Sequence, residues 1–156
     1  MALNITSLVN GRLNRIDFEY IIESSEDNAI IPPKDVSFTA PIKVKGYVDG
    51  SQGFIELTVN ASIDYRGSCA RCLGDVFGTF VLDFNRTVVP FGTLQNELND
   101  DYVIVKGGVL DIDRLIVEEL LLEFPSRLLC KEECAGFCSS CGANLNVEQC
   151  DCPKLK

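Results

Sequence analysis

Eight cysteines and no histidine set the chemistry open to this chain of 156 residues. Cys69 and Cys72 form a Cys-Ala-Arg-Cys pair in mid-chain, and Cys130, Cys134, Cys138, Cys141, Cys150 and Cys152 follow near the end. Thiolates spaced two or three residues apart, each pair followed by a tight turn, suit a tetrahedral metal ion. The turn lets two sulfurs converge on one ion about 2.3 Å away while backbone N–H groups point at them. Cys138-Ser-Ser-Cys141-Gly142 has this knuckle form, with Gly142 free to take a positive φ after the second ligand. The spacing predicts structural zinc.

Two other chemistries compete for the same residues. An even number of cysteines suits a disulfide framework in a secreted protein. Residues 1–10, however, show neither a basic n-region nor an apolar run of signal-peptide length, so the expected location is cytoplasmic. A hydrophobic content of 46% also suffices to build a core without staples. A redox centre at Cys69 and Cys72 would need a helix N-terminus inside a βαβ unit to lower the thiol pKa, and the flanking residues alternate like strands. Within the metal reading, two partitions are open. In the first, Cys138, Cys141, Cys150 and Cys152 close one local site, and Cys130 and Cys134 join Cys69 and Cys72 in another. In the second, Cys69, Cys72, Cys138 and Cys141 form a single ribbon site and the rest are structural or free. The first is preferred because it employs every cysteine, and it implies two zinc ions.

The missing histidine removes the usual general base near neutral pH, together with the Ser-His-Asp and Cys-His nucleophile systems. Lys106-Gly107-Gly108 lacks the spacing of a phosphate-cradling loop. Complete sets of four thiolates leave no open coordination position for catalysis. The carboxylates of Asp111 and Glu118 read as solvated surface. The expectation is a protein that is not an enzyme and has no small-molecule substrate.

Net charge is −9, and the stretch 126–156 is balanced, so the acidic excess lies in residues 1–125. Tight binding to a phosphate backbone relies on many Lys and Arg contacts. Nucleic-acid contact is therefore local, or the partner is a protein, a basic one by charge complementarity. Lys43, Lys45 and Tyr47 share a strand face that could touch RNA by charge and stacking, or could be plain solvated surface. Arg66 and Arg71 flank the first thiol pair, where they could donate to thiolates or loop carbonyls, or could receive a phosphate or a partner carboxylate. Phe137 reads as a ring packed on the metal module. No apolar run approaches the roughly 20 residues of a membrane span.

The elements that must position these residues follow from periodicity. Residues 16–22 alternate as a strand, residues 23–28 form an acidic turn, and Pro32-Pro33 marks a loop. From Val36 the period is two: Ile42, Val44, Gly46 and Val48 face one way, then Asp49–Gly53 makes a hairpin loop. Ile55, Leu57, Val59, Ala61 and Ile63 line the next strand, and residues 76–89 a third, which puts the first knuckle at the tip between two strands. Residues 92–101 are acidic and short on large apolar side chains. A short strand at 102–105 precedes a helix at 112–124, capped by Asp111 and ended by Pro125. Ile112, Ile116, Val117, Leu120, Leu121 and Phe124 are its expected packing face. The predicted architecture is α+β: an antiparallel sheet with one principal helix in residues 1–125, and a zinc-ribbon-like cysteine module in residues 126–156.

The succession Cys69-Ala-Arg-Cys72-Leu, a helix ending in Glu-Phe-Pro125, then Cys130-x-x-x-Cys134-x-Gly136-x-Cys138-x-x-Cys141-Gly-Ala-Asn-Leu-Asn146 and a closing Cys-Asp-Cys resembles the YceD family of large-ribosomal-RNA-subunit accumulation proteins. The resemblance runs from about residue 35 onward and is most specific in the last 25 or so residues. It implies a non-catalytic role in ribosome biogenesis and 23S rRNA accumulation, with ribosomal RNA or large-subunit assembly proteins as partners. Two rivals remain: a zinc-stabilised protein-interaction adaptor without RNA contact, and a thiol redox or metal sensor.

Overall fold

A computed structural model of the chain describes residues 1–23, 32, 35–51, 53–93 and 102–152. The expected acidic turn at 23–28 and the acidic segment 92–101 fall largely outside them, as does half of Pro32-Pro33. In chain order the elements are β1 (Ala2–Asn4), α1 (Thr6–Val9), β2 (Arg15–Ile22), β3 (Val36–Phe38), β4 (Ile42–Asp49), β5 (Ile55–Ser68), β6 (Asp75–Pro90), β7 (Tyr102–Val105), β8 (Val109–Asp111) and α2 (Ile112–Glu123).

The alternating strands assemble a six-stranded sheet in the order β2-β4-β5-β6-β7, with β3 also paired to β5. β3 and β4 lie end to end along one edge of β5: β4 covers residues 56–62 and β3 covers residues 65–67. Pro41 sits between them, where a missing N–H breaks a ladder. β5 and β6 pair without interruption from Ile55↔Val88 to Ser68↔Asp75, so their tip runs past every other strand. The expectation of an antiparallel sheet needs one correction. β7 runs parallel to β6, with Thr87 opposite Tyr102 and Pro90 opposite Val105. A second, two-stranded sheet joins β1 to β8.

One face of the large sheet carries the core. Val44, Val48, Leu57, Val59, Ala61, Ile63, Leu82 and Val88 are buried there with Ile112, Ile116, Leu120 and Phe124 from the helical side. The Asp111 carboxylate accepts from the Arg114 N–H at 3.3 Å, which caps α2. Phe124 takes an extended ψ of 132° ahead of Pro125, as the residue before a proline prefers. Its ring meets those of Tyr65 and Phe80 edge-on, each at 5.2 Å between centroids.

The helix face is narrower than its sequence suggested. α2 rests on β6 and β1, and Leu121 is 62% exposed, while Glu119 is only 6% exposed and ion-paired with Arg86 of β6. The N-terminal residues were harder to place from sequence. Ile5 and Leu8 are buried in the main core, held there by the pairing of β1 with β8 and by the first turn of α1.

Gly46 fixes the approach of β2 to β5 around β4. It lies opposite Phe18, and a Cβ there would stand 2.2 Å from the Thr58 carbonyl oxygen and 2.6 Å from the Phe18 ring. The carbonyl cannot swing aside as a side chain would. Replacing glycine by alanine in an unhindered strand removes a cost of about 0.5–1 kcal/mol. Overpacking costs about 1–3 kcal/mol and dominates here. Gly46→Ala is expected to lower the denaturant midpoint of unfolding at unchanged slope; an unchanged or raised midpoint would show that the strands can separate to admit a methyl group.

Candidate metal centre

The two Cys-x-x-Cys segments fold into the same turn. The Cys69 N–H donates to the Gly74 carbonyl at 2.8 Å, and the Leu73 N–H to the Cys69 carbonyl at 2.9 Å. In the second segment the Cys138 N–H donates to the Ala143 carbonyl at 2.8 Å, and the Gly142 N–H to the Cys138 carbonyl at 2.9 Å. The offsets are identical, so each turn presents its two sulfurs on one side. In both, the residue after the second cysteine has a left-handed backbone: φ is 54° at Leu73 and 74° at Gly142. The first turn caps the β5–β6 tip, and the Ala70 N–H ties it to the Leu128 carbonyl at 2.8 Å.

The turns bring the sulfurs into two groups of four. Cys69, Cys72, Cys130 and Cys134 form an inner group and Cys138, Cys141, Cys150 and Cys152 an outer one, with all sulfurs of a group within 4.8 Å of one another. In the inner group Cys69 lies 3.7 Å from Cys134, and Cys72 lies 3.6 Å from Cys130. A tetrahedron of sulfurs about 2.3 Å from a central ion has edges of about 3.8 Å. The inner sulfurs therefore stand almost at ligand spacing for an ion such as zinc, and well beyond the roughly 2.05 Å of a disulfide. This is the local partition; the ribbon grouping of Cys69, Cys72, Cys138 and Cys141 does not form. The groups differ in exposure: in the inner one only Cys130 is exposed, whereas every sulfur-bearing residue of the outer one is at least partly open.

Backbone donors prepare each group for charge. The N–H of Arg71, then those of Cys130 and Cys72, hold the Cys69 thiol down at about 6 against the opposing effect of burial. The N–H groups of Cys141 and Ser140 likewise hold Cys138 at about 6, with the Ser140 nitrogen 3.4 Å from the sulfur. Neighbouring sulfurs push other members the opposite way. Cys130 rises to about 12 beside Cys72 and Cys134, and Cys152 rises to about 12 beside Cys141. Burial opposes ionisation of Cys134, but hydrogen bonds led by that of Asn146 outweigh it and the thiol pKa is lowered. Each group thus combines thiols biased toward the thiolate with others that keep protons an entering cation would displace.

The other candidate residues are dispersed. Arg71 donates from Nη1 to the Cys134 carbonyl at 2.8 Å, clamping the first knuckle to the second thiol pair. Arg66 reaches neither sulfur nor loop carbonyl; it pairs with Asp75 at 3.1 Å and lies over the Phe77 ring. Lys43, Lys45 and Tyr47 occupy the open face of the sheet, with Lys45 opposite Glu19 and Tyr47 opposite Asp17. The Arg15 guanidinium covers one face of the Tyr47 ring at 3.7 Å. Phe137 is 42% exposed and bridges to Asn144 through its backbone, so it is not the packed ring expected. That bridge is the only strand-like pairing among the described residues of 126–152, which gives a cysteine-rich segment without a ribbon's strand ladder. Sequence reading missed Asn146, whose Nδ2 donates to Cys134 Sγ at 3.3 Å. Its place in the run Asn144-Leu145-Asn146 between ligand pairs was the available signal.

Leu73 occupies the backbone position that glycine fills in the outer knuckle. A non-glycine residue held there costs about 1–3 kcal/mol, and its side chain is 71% exposed, so it recovers little by burial. Leu73→Gly is expected to raise thermal stability of the metal-loaded protein, and Gly142→Leu to lower it; a loss of stability in the first variant would reveal a contact of the Leu73 side chain that offsets the strain.

A family model described as "Large ribosomal RNA subunit accumulation protein YceD" matches residues 57–156. Among curated proteins, an uncharacterized protein of Mycobacterium leprae is 25% identical over 115 residues, covering 72% of this chain and 53% of that protein. The uncharacterized protein YlbN of Bacillus subtilis is 27% identical over 117 residues, covering 75% of this chain and 66% of that protein. The chloroplastic large ribosomal RNA subunit accumulation protein YCED homolog 1 of Arabidopsis thaliana is 42% identical over 43 residues, or 28% of this chain and 13% of that protein. The aligned part of the chain thus spans one half to two thirds of the first two relatives. No solved structure matches the chain. The family match takes in both knuckles, the principal helix and all eight cysteines over more than half the length, and by it the chain belongs to the YceD family.

Proposed function

We propose that the chain is a non-enzymatic, zinc-stabilised factor in large-ribosomal-subunit biogenesis, acting in the cytoplasm on accumulation of 23S rRNA. The observation that carries this reading is the family match across the segment that bears both four-thiol groups. The chemistry of the groups agrees with it. Four thiolates close a tetrahedral site and leave no position for substrate, and the chain has no histidine to serve as a general base. No helix among the described residues is long and apolar enough to cross a membrane.

The surface points to the manner of association. On the open face of the sheet Lys45 is flanked by Glu19, Asn60 holds Asp83, and Arg15 and Arg66 are engaged by Asp17 and Asp75. Such a face repels a phosphate backbone and suits a basic large-subunit protein. Purified chain is expected to bind precursor large-subunit particles, and to bind bare 23S rRNA weakly, with a shallow dependence of log K on log salt equivalent to roughly three phosphates or fewer. Absence from precursor particles at low salt would contradict the role. A steep slope with bare RNA would replace the protein-mediated reading by direct RNA binding.

Zinc is the proposed ion, one per group. Elemental measurement is expected to give two zinc ions per chain with no reactive thiol, whereas one zinc with about four free thiols would favour the redox reading. The metal-free groups hold protons that the loaded ones lack, so raising pH favours loading. Between about pH 6 and 12 this dependence comes from thiols such as Cys130 and Cys152. Below about pH 6, Cys69 and Cys138 also take up protons, so release of metal should steepen there. A chelator at neutral pH is expected to unfold the segment after Pro125 while the sheet persists, read by amide exchange; collapse of the sheet at the same chelator concentration would make the inner group part of the core's own stability.

A further inference from the structure

The two four-thiol groups are joined by a short hydrogen-bonded strip. The Leu145 N–H donates to the Gly136 carbonyl at 2.9 Å, the Cys138 N–H to the Ala143 carbonyl at 2.8 Å, and Phe137 bridges Asn144. One end of the strip is Cys134 of the inner group, and the other is the outer knuckle of Cys138 and Cys141. Asn146 lies in sequence between two outer ligands, Cys141 and Cys150, yet its side chain is spent on the inner group. Its Oδ1 accepts from the Ala135 N–H at 3.0 Å, and its Nδ2 donates to Cys134 Sγ at 3.3 Å and to Asn144 Oδ1 at 3.0 Å.

The orientation of this carboxamide is fixed by its neighbours. An N–H can be answered only by the oxygen, and a flipped amide would set that oxygen against both a thiolate and the Asn144 oxygen. A backbone hydrogen bond from the Asn146 N–H to Asn144 Oδ1 at 3.0 Å holds the turn from below. Among the described residues, Asn146 is the side chain of the outer loop that reaches an inner-group sulfur.

We propose that Asn146 is a positioning residue that couples the two sites, so that a thiophilic divalent cation in either group raises the affinity of the other. An ion in the outer group fixes the ends of the loop from Cys141 to Cys150, and that loop aims Nδ2 at Cys134. An ion in the inner group fixes Cys134 and, through Ala135 and Gly136, the strip on which the outer knuckle is built. By linkage the factor is the same in both directions. Loss of an outer-shell hydrogen bond to a ligand typically lowers metal affinity 10–100-fold, which sets the size of the effect. The inference rests on the metal-binding reading and goes beyond it.

Cobalt(II) tests it, because thiolate-to-cobalt charge transfer and ligand-field bands report each bound ion without any activity assay. In the full chain, two cobalt ions are expected to bind. Disabling the outer group by Cys141→Ser with Cys152→Ser should weaken the inner site about tenfold or more. Disabling the inner group by Cys69→Ser with Cys72→Ser should weaken the outer site by the same factor. Asn146→Asp keeps every sulfur and the acceptor for the Ala135 N–H, but turns a carboxylate oxygen toward Cys134. It is expected to bind two cobalt ions with the coupling lost and the inner-site charge-transfer band shifted. Coupling that persists in Asn146→Asp, or site affinities in the wild type that ignore the state of the other group, would overturn the inference alone. Fewer than two cobalt ions in the wild type would overturn it together with the metal reading.

Discussion

Four sulfurs that are 58 to 65 positions apart in sequence across each pair converge in the inner group, and the placement of everything after Pro125 depends on that convergence. The segment beyond Pro125 has little apolar surface to bury: Leu129, Phe137, Leu145 and Val147 are all exposed, and Leu128 is its contribution to the main core. A stretch this short does not hold itself by hydrophobic burial. Its order comes instead from polar and sulfur contacts, chiefly the knuckle hydrogen bonds, the Arg71 clamp on the Cys134 carbonyl and the two sulfur groups. The sheet has the opposite character. Its core is continuous and aliphatic, and its link to the sulfur chemistry is the extended β5–β6 tip that carries Cys69 and Cys72 beyond the other strands. The protein is an apolar sheet that presents one half of a four-thiol group to a polar segment that supplies the other half.

This division also assigns different sensitivities to the two groups. The inner one is walled by the tip, by Val76 and by the Asn146 carboxamide, with only Cys130 open. The outer one stands in the solvent-facing segment. A hydrogen bond to a thiolate gains strength as its surroundings exclude water, so the same kind of contact counts for more at Cys134 than at Cys138. The inner site is accordingly where the chain invests a side-chain donor as well as backbone ones, and the outer site relies on backbone donors such as Ser140.

Much of the architecture was legible because period-two alternation is a strong signal where one face is buried. Residues 42–48, 55–63 and 76–89 fall on the faces their patterns assign, and the first knuckle lies at the tip between two of these strands. Asp111 and Pro125 marked the helix ends through local stereochemistry. What alternation cannot encode is direction or neighbourhood. β7 reads the same whether it runs parallel or antiparallel, and only its register against β6 shows the direction. The burial of Glu119 instead of Leu121 depends on which strand α2 rests on and on Arg86 being there to pair with it. β1 is three residues long, too short to show a period, and its role is set by a partner more than a hundred positions away. At the site, ligand spacing exposed the cysteines, but Asn146 acts across groups, and only folding reveals which sulfur it meets.

Charge gives the last constraint on function. The chain carries −9 before any ion binds, and four thiolates around a divalent cation would carry about two further negative charges per group, in a protein where Arg15, Arg66, Arg86 and Arg114 are each engaged by a carboxylate. A divalent cation in each group would make the molecule more acidic still, the reverse of what a module built on lysine and arginine would carry.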